Sequence, residues 1–256
     1  MAWVRDKTRM KFNKALLTGM NGTVAPVLAG RLRREGVAVS GWNRHEVPVE
    51  DAARSDALIE RERPDLIVHL AMGDPAWAGW LAEAAGRRGI TFVYISSVSV
   101  FDGSRSGPFP PGKEPDARDD YGRYKAECER RVKTANPSAY IARIGWQIGD
   151  RPGNNNMVDY LQKQQEMHGR ISASSRMYHA CSFLDDTADG LWRMLSELPP
   201  DLYHLEGNDG CSFFNIASGL NSKLNAGWII EETREPAVDI RMLDDRIHLT
   251  PVSARL

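Results

Sequence analysis

Hydrophobic and polar positions switch between two periods along the first part of the chain. Lys14–Gly19 is a short apolar run closed by glycine, the pattern of a buried strand. Val24, Val27, Leu28 and Leu32 then fall on one helical face, with Pro26 in the first turn, where a missing N–H costs little, and Gly36 beyond the end. The alternation continues with strands at Val37–Trp42, Asp65–Ala71, Ile90–Ser96 and Ser138–Gly145, and helices at Ala52–Glu62, Trp77–Arg88 and Tyr121–Thr134. Strands alternating with helices of this length predict βαβ units and a parallel sheet covered on both faces. The expected fold class is α/β, a doubly wound Rossmann-type sheet.

Beyond residue 150 the alternation loosens. Asn154–Asn156 reads as a polar turn and Met157–His168 as a helix. A second helix follows Phe183, with Asp185 or Asp186 as its cap and Pro199 and Pro200 at its end. Leu202–Glu206 predicts a short strand, Ser212 a helix cap, and the stretch from Trp228 a last strand. The expected organisation is a Rossmann domain over 1–150 and a small α+β lobe over 151–256, with some lobe elements returning to the sheet. A chain of 256 residues suits one large unit with a small attached lobe.

Composition narrows the function classes. Apolar residues make up 42% and charged residues 26%, ordinary globular values. No apolar run approaches the ~20 residues needed to cross a bilayer, so no membrane partner is expected. Lys+Arg 33 against Asp+Glu 34 leaves no basic excess, which argues against nucleic acid. Cys128, Cys181 and Cys211 are odd in number and widely spaced, so neither a zinc site nor a disulfide framework is expected. The leader through Lys14 is charged and lacks the apolar segment of a secretory signal, and a cytoplasmic location is the expectation.

Candidate chemistry begins at Gly19-x-x-Gly22-x-x-Ala25, between the first strand and the first helix. Glycines there permit a tight turn and let backbone N–H groups approach a pyrophosphate at the helix N-terminus. The second strand ends in Trp42-Asn43-Arg44-His45, with no acid before Glu46. An arginine at that place suits the 2′-phosphate of NADP, so NADPH is expected in preference to NADH, with NAD still open.

Tyr121 and Lys125 stand at i and i+4 on a helix, and so on one face. Ser96 and Ser97 end the strand before it. Hydride delivered to a carbonyl carbon leaves charge on oxygen. A phenol can supply the proton, a nearby ammonium can draw its pKa toward neutrality, and a serine hydroxyl can orient the carbonyl. A Tyr-x-x-x-Lys pair alone recurs by chance on exposed helices. Its place after a glycine turn and a serine-ended strand is what makes it a candidate.

These residues resemble the extended branch of the short-chain dehydrogenase/reductase superfamily, the NAD-dependent epimerase family, and within it the dTDP-4-dehydrorhamnose reductases. The matching stretches include Leu17-Thr-Gly-Met-Asn-Gly-Thr23, Ile95-Ser-Ser-Val-Ser-Val-Phe-Asp-Gly103, Tyr121-Gly-Arg-Tyr-Lys125, Ala142-Arg-Ile-Gly-Trp146 and Ser182-Phe-Leu-Asp-Asp-Thr-Ala-Asp-Gly190. The resemblance implies an NAD(P)-dependent reductase acting on the keto group of a nucleotide-linked deoxy sugar, with homodimers common. It implies that Ser97 positions the keto oxygen, Tyr121 donates the proton, and Lys125 lowers the Tyr pKa and holds the nicotinamide ribose. It places Gly19, Asn21, Gly22, Thr23, Arg44, Leu70, Ala71, Met72, Ser96, Tyr121, Lys125 and Ile144 around the cofactor. Ser97, Val98, Phe101, Trp146, Asn155 and Asn156 fall around the substrate.

Two departures stand out. Met72-Gly-Asp-Pro-Ala-Trp77 runs straight into the next helix where such enzymes have a longer loop, and Val98-Ser99 stands where they often have Asp and Tyr. A nucleotide-sugar epimerase or dehydratase of the same superfamily is one alternative. A cofactor-binding regulatory subunit, as in the regulatory partner of methionine adenosyltransferase, is another.

Overall fold

The structure is a computed structural model, and it describes residues 12–104 and 106–256. The charged leader lies outside the described residues up to position 11.

Six strands form one fully parallel sheet. In chain order the first elements are β1 (Lys14–Leu17), α1 (Ala25–Arg34), β2 (Ala38–Gly41), α2 (Ala52–Glu62), β3 (Leu66–His69), α3 (Pro75–Arg87), β4 (Thr91–Ser97), α4 (Asp120–Ala135) and β5 (Tyr140–Ile144). There follow β6 (Trp146–Ile148), α5 (Met157–His168), β7 (Ile171–Ser174), β8 (Met177–Tyr178), β9 (Cys181–Phe183), α6 (Leu184–Glu197) and β10 (Leu202–Leu205). The last are α7 (Phe213–Leu224), β11 (Ile230–Thr233) and β12 (Val238–Asp239). The sheet runs β10-β5-β4-β3-β1-β2, so the fold is the expected α/β, Rossmann-like sheet.

Side chains along the strands alternate between two apolar layers, as the pleat requires. Ala15, Leu17, Leu66, Val68, Val93 and Ile95 pack on the face that carries α1 and α6. Leu16, Ile67, Phe92 and Tyr94 pack on the opposite face, with apolar residues of α2, α3 and α4. The sheet is buried on both sides, which explains why its strands read as continuous apolar runs. A third cluster joins α5 and α7 to the short strand pairs β6–β9 and β7–β11. From the later part of the chain, β10 pairs with β5 at the sheet edge and α6 covers the sheet.

One local expectation needs correction. Neither Asp185 nor Asp186 caps α6. Its cap is Phe183, without a side-chain bond, and both acids lie in the first turn. There they offset the positive helix end and pair with Arg255, whose Nη1 lies 2.6 Å from Asp186. Ser212 does cap α7, in a reciprocal box with Asn215.

Chain order reverses across the sheet between β1 and β3. In a doubly wound sheet this switch point opens a crevice at the carboxyl ends of the strands.

Candidate active site

A cleft of about 750 Å³ occupies that crevice. Its floor is the turn after β1. Gly19 adopts φ +75, and an added Cβ there would press on the Ala71 backbone at 3.1 Å. The Gly22 amide closes the turn onto the Gly19 carbonyl at 2.8 Å. Val24, the residue capping α1, has no side-chain cap bond, and Pro26 removes one donor from the first turn. The open end of α1 therefore points uncapped N–H groups into the cleft, as a phosphate cradle requires.

Below the turn, Thr18 ties β1 to β3. Its hydroxyl accepts from the Leu70 and Ala71 amides at 2.9 and 3.0 Å. Both lone pairs are then used, so its hydrogen goes to Nδ1 of His69 at 2.9 Å and the imidazole carries its proton on Nε2. Burial pushes the His69 pKa down to about 3, which keeps the ring neutral.

The other wall is built by β4 and α4. Ser97 accepts from the Ser99 amide at 3.1 Å and donates to the Ser99 hydroxyl at the same distance. Asp119 caps α4 through the Gly122 amide at 2.8 Å. Gly122 is required here, because a Cβ would overlap the Ser99 carbonyl. Tyr124 accepts from the Gly73 amide at 3.0 Å, and the buried Arg143–Glu129 pair, bidentate at 2.9 and 2.7 Å, ties α4 to β5. Helix α4 thus presents Tyr121 and Lys125 beside Ser97 in one cleft.

Lys125 is buried and donates to the Ile95 carbonyl at 2.9 Å. Its ammonium lies 5.0 Å from the Tyr94 ring centre and 5.9 Å from that of Tyr121. Burial lowers its pKa to about 8. Tyr121 is 42% exposed on the cleft wall, and its partial burial moves the phenol upward from its ordinary value, opposed by the nearby Ser97 hydroxyl. This differs from the expected lowering by Lys125, and the reason is distance: the ammonium bonds to Ile95, not to the phenol.

Of the residues singled out from sequence, Gly19, Gly22, Thr23, Leu70, Met72, Ser96, Ser97, Val98, Tyr121, Lys125, Ile144, Trp146 and Asn155 meet in this cleft. Five do not line it. Asn21 is exposed on the turn, and Ala71 is buried beneath Gly19. Arg44 lies at the rim, donating to the Met72 carbonyl with its guanidinium 5.5 Å from the Trp77 ring centre. Phe101 turns away into a separate cluster, 4.6 Å from the Phe109 ring and beneath Arg143. Asn156 is spent on structure: it caps α5 at the Asp159 amide and donates to the Arg151 and Gly153 carbonyls. Sequence reasoning missed Gln147 and His179, which also line the cleft. Gln147 adjoins the singled-out Trp146, but His179 stands in a segment without motif or period.

A profile of the RmlD substrate binding domain matches residues 76–235. The chain belongs to the RmlD substrate-binding family. Among relatives, an RmlD-family resemblance of 30% identity over 174 residues links it to the protein named "Probable low-salt glycan biosynthesis reductase Agl14" of Haloferax volcanii, covering 58% of each chain. The chain therefore spans under two thirds of that relative's length. It is 29% identical over 252 residues to methionine adenosyltransferase 2 subunit beta of Xenopus tropicalis, covering 87% of this chain and 75% of that one. The fold is that of a dTDP-4-dehydrorhamnose reductase from Bacillus anthracis solved in complex with NADP, with a TM-score of 0.80 at 18% identity over 94% and 96% of the two chains. No helix among the described residues of this RmlD-family chain is long and apolar enough to cross a membrane.

Proposed function

We propose that this protein is an NADPH-dependent reductase of the keto group of a nucleotide-linked deoxy sugar. The observation that carries the reading is the meeting of Ser97, Tyr121 and Lys125 beside the glycine turn in one cleft.

The residues of the turn fit a dinucleotide. Gly19 and Gly22 leave room for a pyrophosphate at the uncapped end of α1, and Arg44 at the rim suits a 2′-phosphate. The cofactor, when bound, supplies a hydride to the carbonyl carbon. Ser97 holds the keto oxygen by a hydrogen bond. Tyr121 gives that oxygen the proton that completes the alcohol, and its raised pKa keeps the phenol protonated until it is needed. Lys125 carries positive charge at neutral pH, stabilises the phenolate left behind, and holds the nicotinamide ribose. Residues 151–256 supply the substrate side through Trp146's neighbours and Asn155.

Incubation with NADPH and a panel of nucleotide 4-keto-6-deoxy sugars, followed at the cofactor absorbance, tests the reading. Oxidation that is lost in Tyr121→Phe supports it. NADPH binding without turnover of any sugar overturns it in favour of a cofactor-binding regulatory subunit, the reading to which the methionine adenosyltransferase relative lends weight.

A further inference from the structure

Beside the cleft lies a second chamber of about 430 Å³ in the C-terminal part of the chain, and Trp146 and His179 line both. The His179 ring stands edge-on to Trp146 at 5.3 Å and to Phe213 at 5.1 Å. Tyr160 stands edge-on to Trp146 at 5.1 Å. The backbone is pinned as well, since Asn208 donates to the His179 carbonyl at 2.8 Å.

Two aromatic rings flank a half-buried imidazole that can donate one hydrogen bond and accept another, and neither ring nitrogen has a partner among the described residues. Neither nitrogen is a buried atom left without a partner, so both are accessible from the cleft, where a bound molecule can pair them. Burial lowers the His179 pKa to about 4, so the ring is neutral and keeps one donor and one acceptor at physiological pH. Aromatic faces beside a neutral donor–acceptor suit a hydroxylated ring, whose C–H face packs on the aromatics while its hydroxyls seek hydrogen bonds.

We infer that His179 is a specificity-determining residue that hydrogen-bonds a ring hydroxyl of the substrate where the cleft meets the side chamber. The inference rests on the proposed reductase reading for its substrate class.

Two variants test it in the full-length protein. His179→Phe keeps the aromatic box and removes the hydrogen bonds; His179→Asn restores a donor and an acceptor. With saturating NADPH, His179→Phe is expected to raise the sugar KM about tenfold, the loss of about one hydrogen bond, with a smaller change in kcat and unchanged NADPH affinity. His179→Asn is expected to recover most of that loss. An unchanged KM in His179→Phe, with the wild type active, overturns the inference and leaves the reductase reading standing. If the wild type turns over no sugar, the reductase reading falls, and calorimetric titration with dTDP-glucose decides the role of His179. Binding about tenfold weaker in His179→Phe supports the role. Equal binding, or none to the wild type, overturns it.

Discussion

The Lys125 ammonium lies 5.9 Å from the centre of the Tyr121 ring and donates to the Ile95 carbonyl at 2.9 Å. The cation is held under the phenol by a backbone group, so the helix spacing of the two residues places the charge without locking it to the phenol.

Lys125 costs stability to keep. Burial lowers its pKa from 10.5 to about 8, so the unfolded chain binds a proton more tightly than the folded one. The penalty is fully present below about pH 8 and disappears as pH rises past 10.5. A shift of this size is about 3 kcal/mol. Lys125→Met is expected to raise Tm at pH 7, with the gain over wild type shrinking between pH 8 and 10.5 in a thermal-melt series. The same proton governs turnover: kcat/KM for NADPH-dependent reduction is expected to fall above about pH 8.

Gly122 sets how closely α4 approaches the turn after β4. A Cβ would overlap the Ser99 carbonyl, so Gly122→Ala must push the helix that carries Tyr121 and Lys125. Overpacking of this kind costs about 1–3 kcal/mol. Urea unfolding should show that loss, and kcat should fall more than NADPH affinity.

Arg44 is held at the rim by the Met72 carbonyl and the Trp77 ring. If it meets a 2′-phosphate, Arg44→Ala removes a charge-assisted hydrogen bond and weakens NADPH roughly tenfold or more. NADH affinity should hardly change. Parallel fluorescence titrations with the two cofactors compare them directly; an equal loss for both would remove Arg44 from cofactor discrimination.

Thr18→Val keeps the shape of the side chain and deletes its hydroxyl. The Leu70 and Ala71 amides and Nδ1 of His69 then lose their partner at the floor of the cleft. Buried polar groups left unpaired cost about 1–3 kcal/mol each, partly relieved by local shifts. A drop of at least about 2 kcal/mol in urea unfolding is the expected result, and a Thr18→Ser variant should restore most of it.

Much of the fold was legible because its signals are local. Strand runs, helix faces and the cap at Ser212 depend on neighbours a few positions away, and the α/β alternation follows from them. The glycine turn, Ser97, Tyr121 and Lys125 were legible for the same reason, since each motif is short and its spacing has chemical meaning. The direction of a side chain relative to the cleft is another matter. Phe101 lies only four positions from Ser97, yet the turn after β4 sends it to Phe109 and Arg143. Asn156 adjoins Asn155, yet helix α5 needs its side chain as a cap.

By itself, then, the sequence determined the βαβ alternation, the glycine turn and the Tyr–Lys helix, because period and short-range spacing carry them. Only the tertiary structure decided the strand order that opens the switch point between β1 and β3, the rise in the Tyr121 pKa, and the arrival of His179 at Trp146 and Phe213. Those outcomes depend on burial and on contacts between segments far apart in the chain, and no local pattern encodes them.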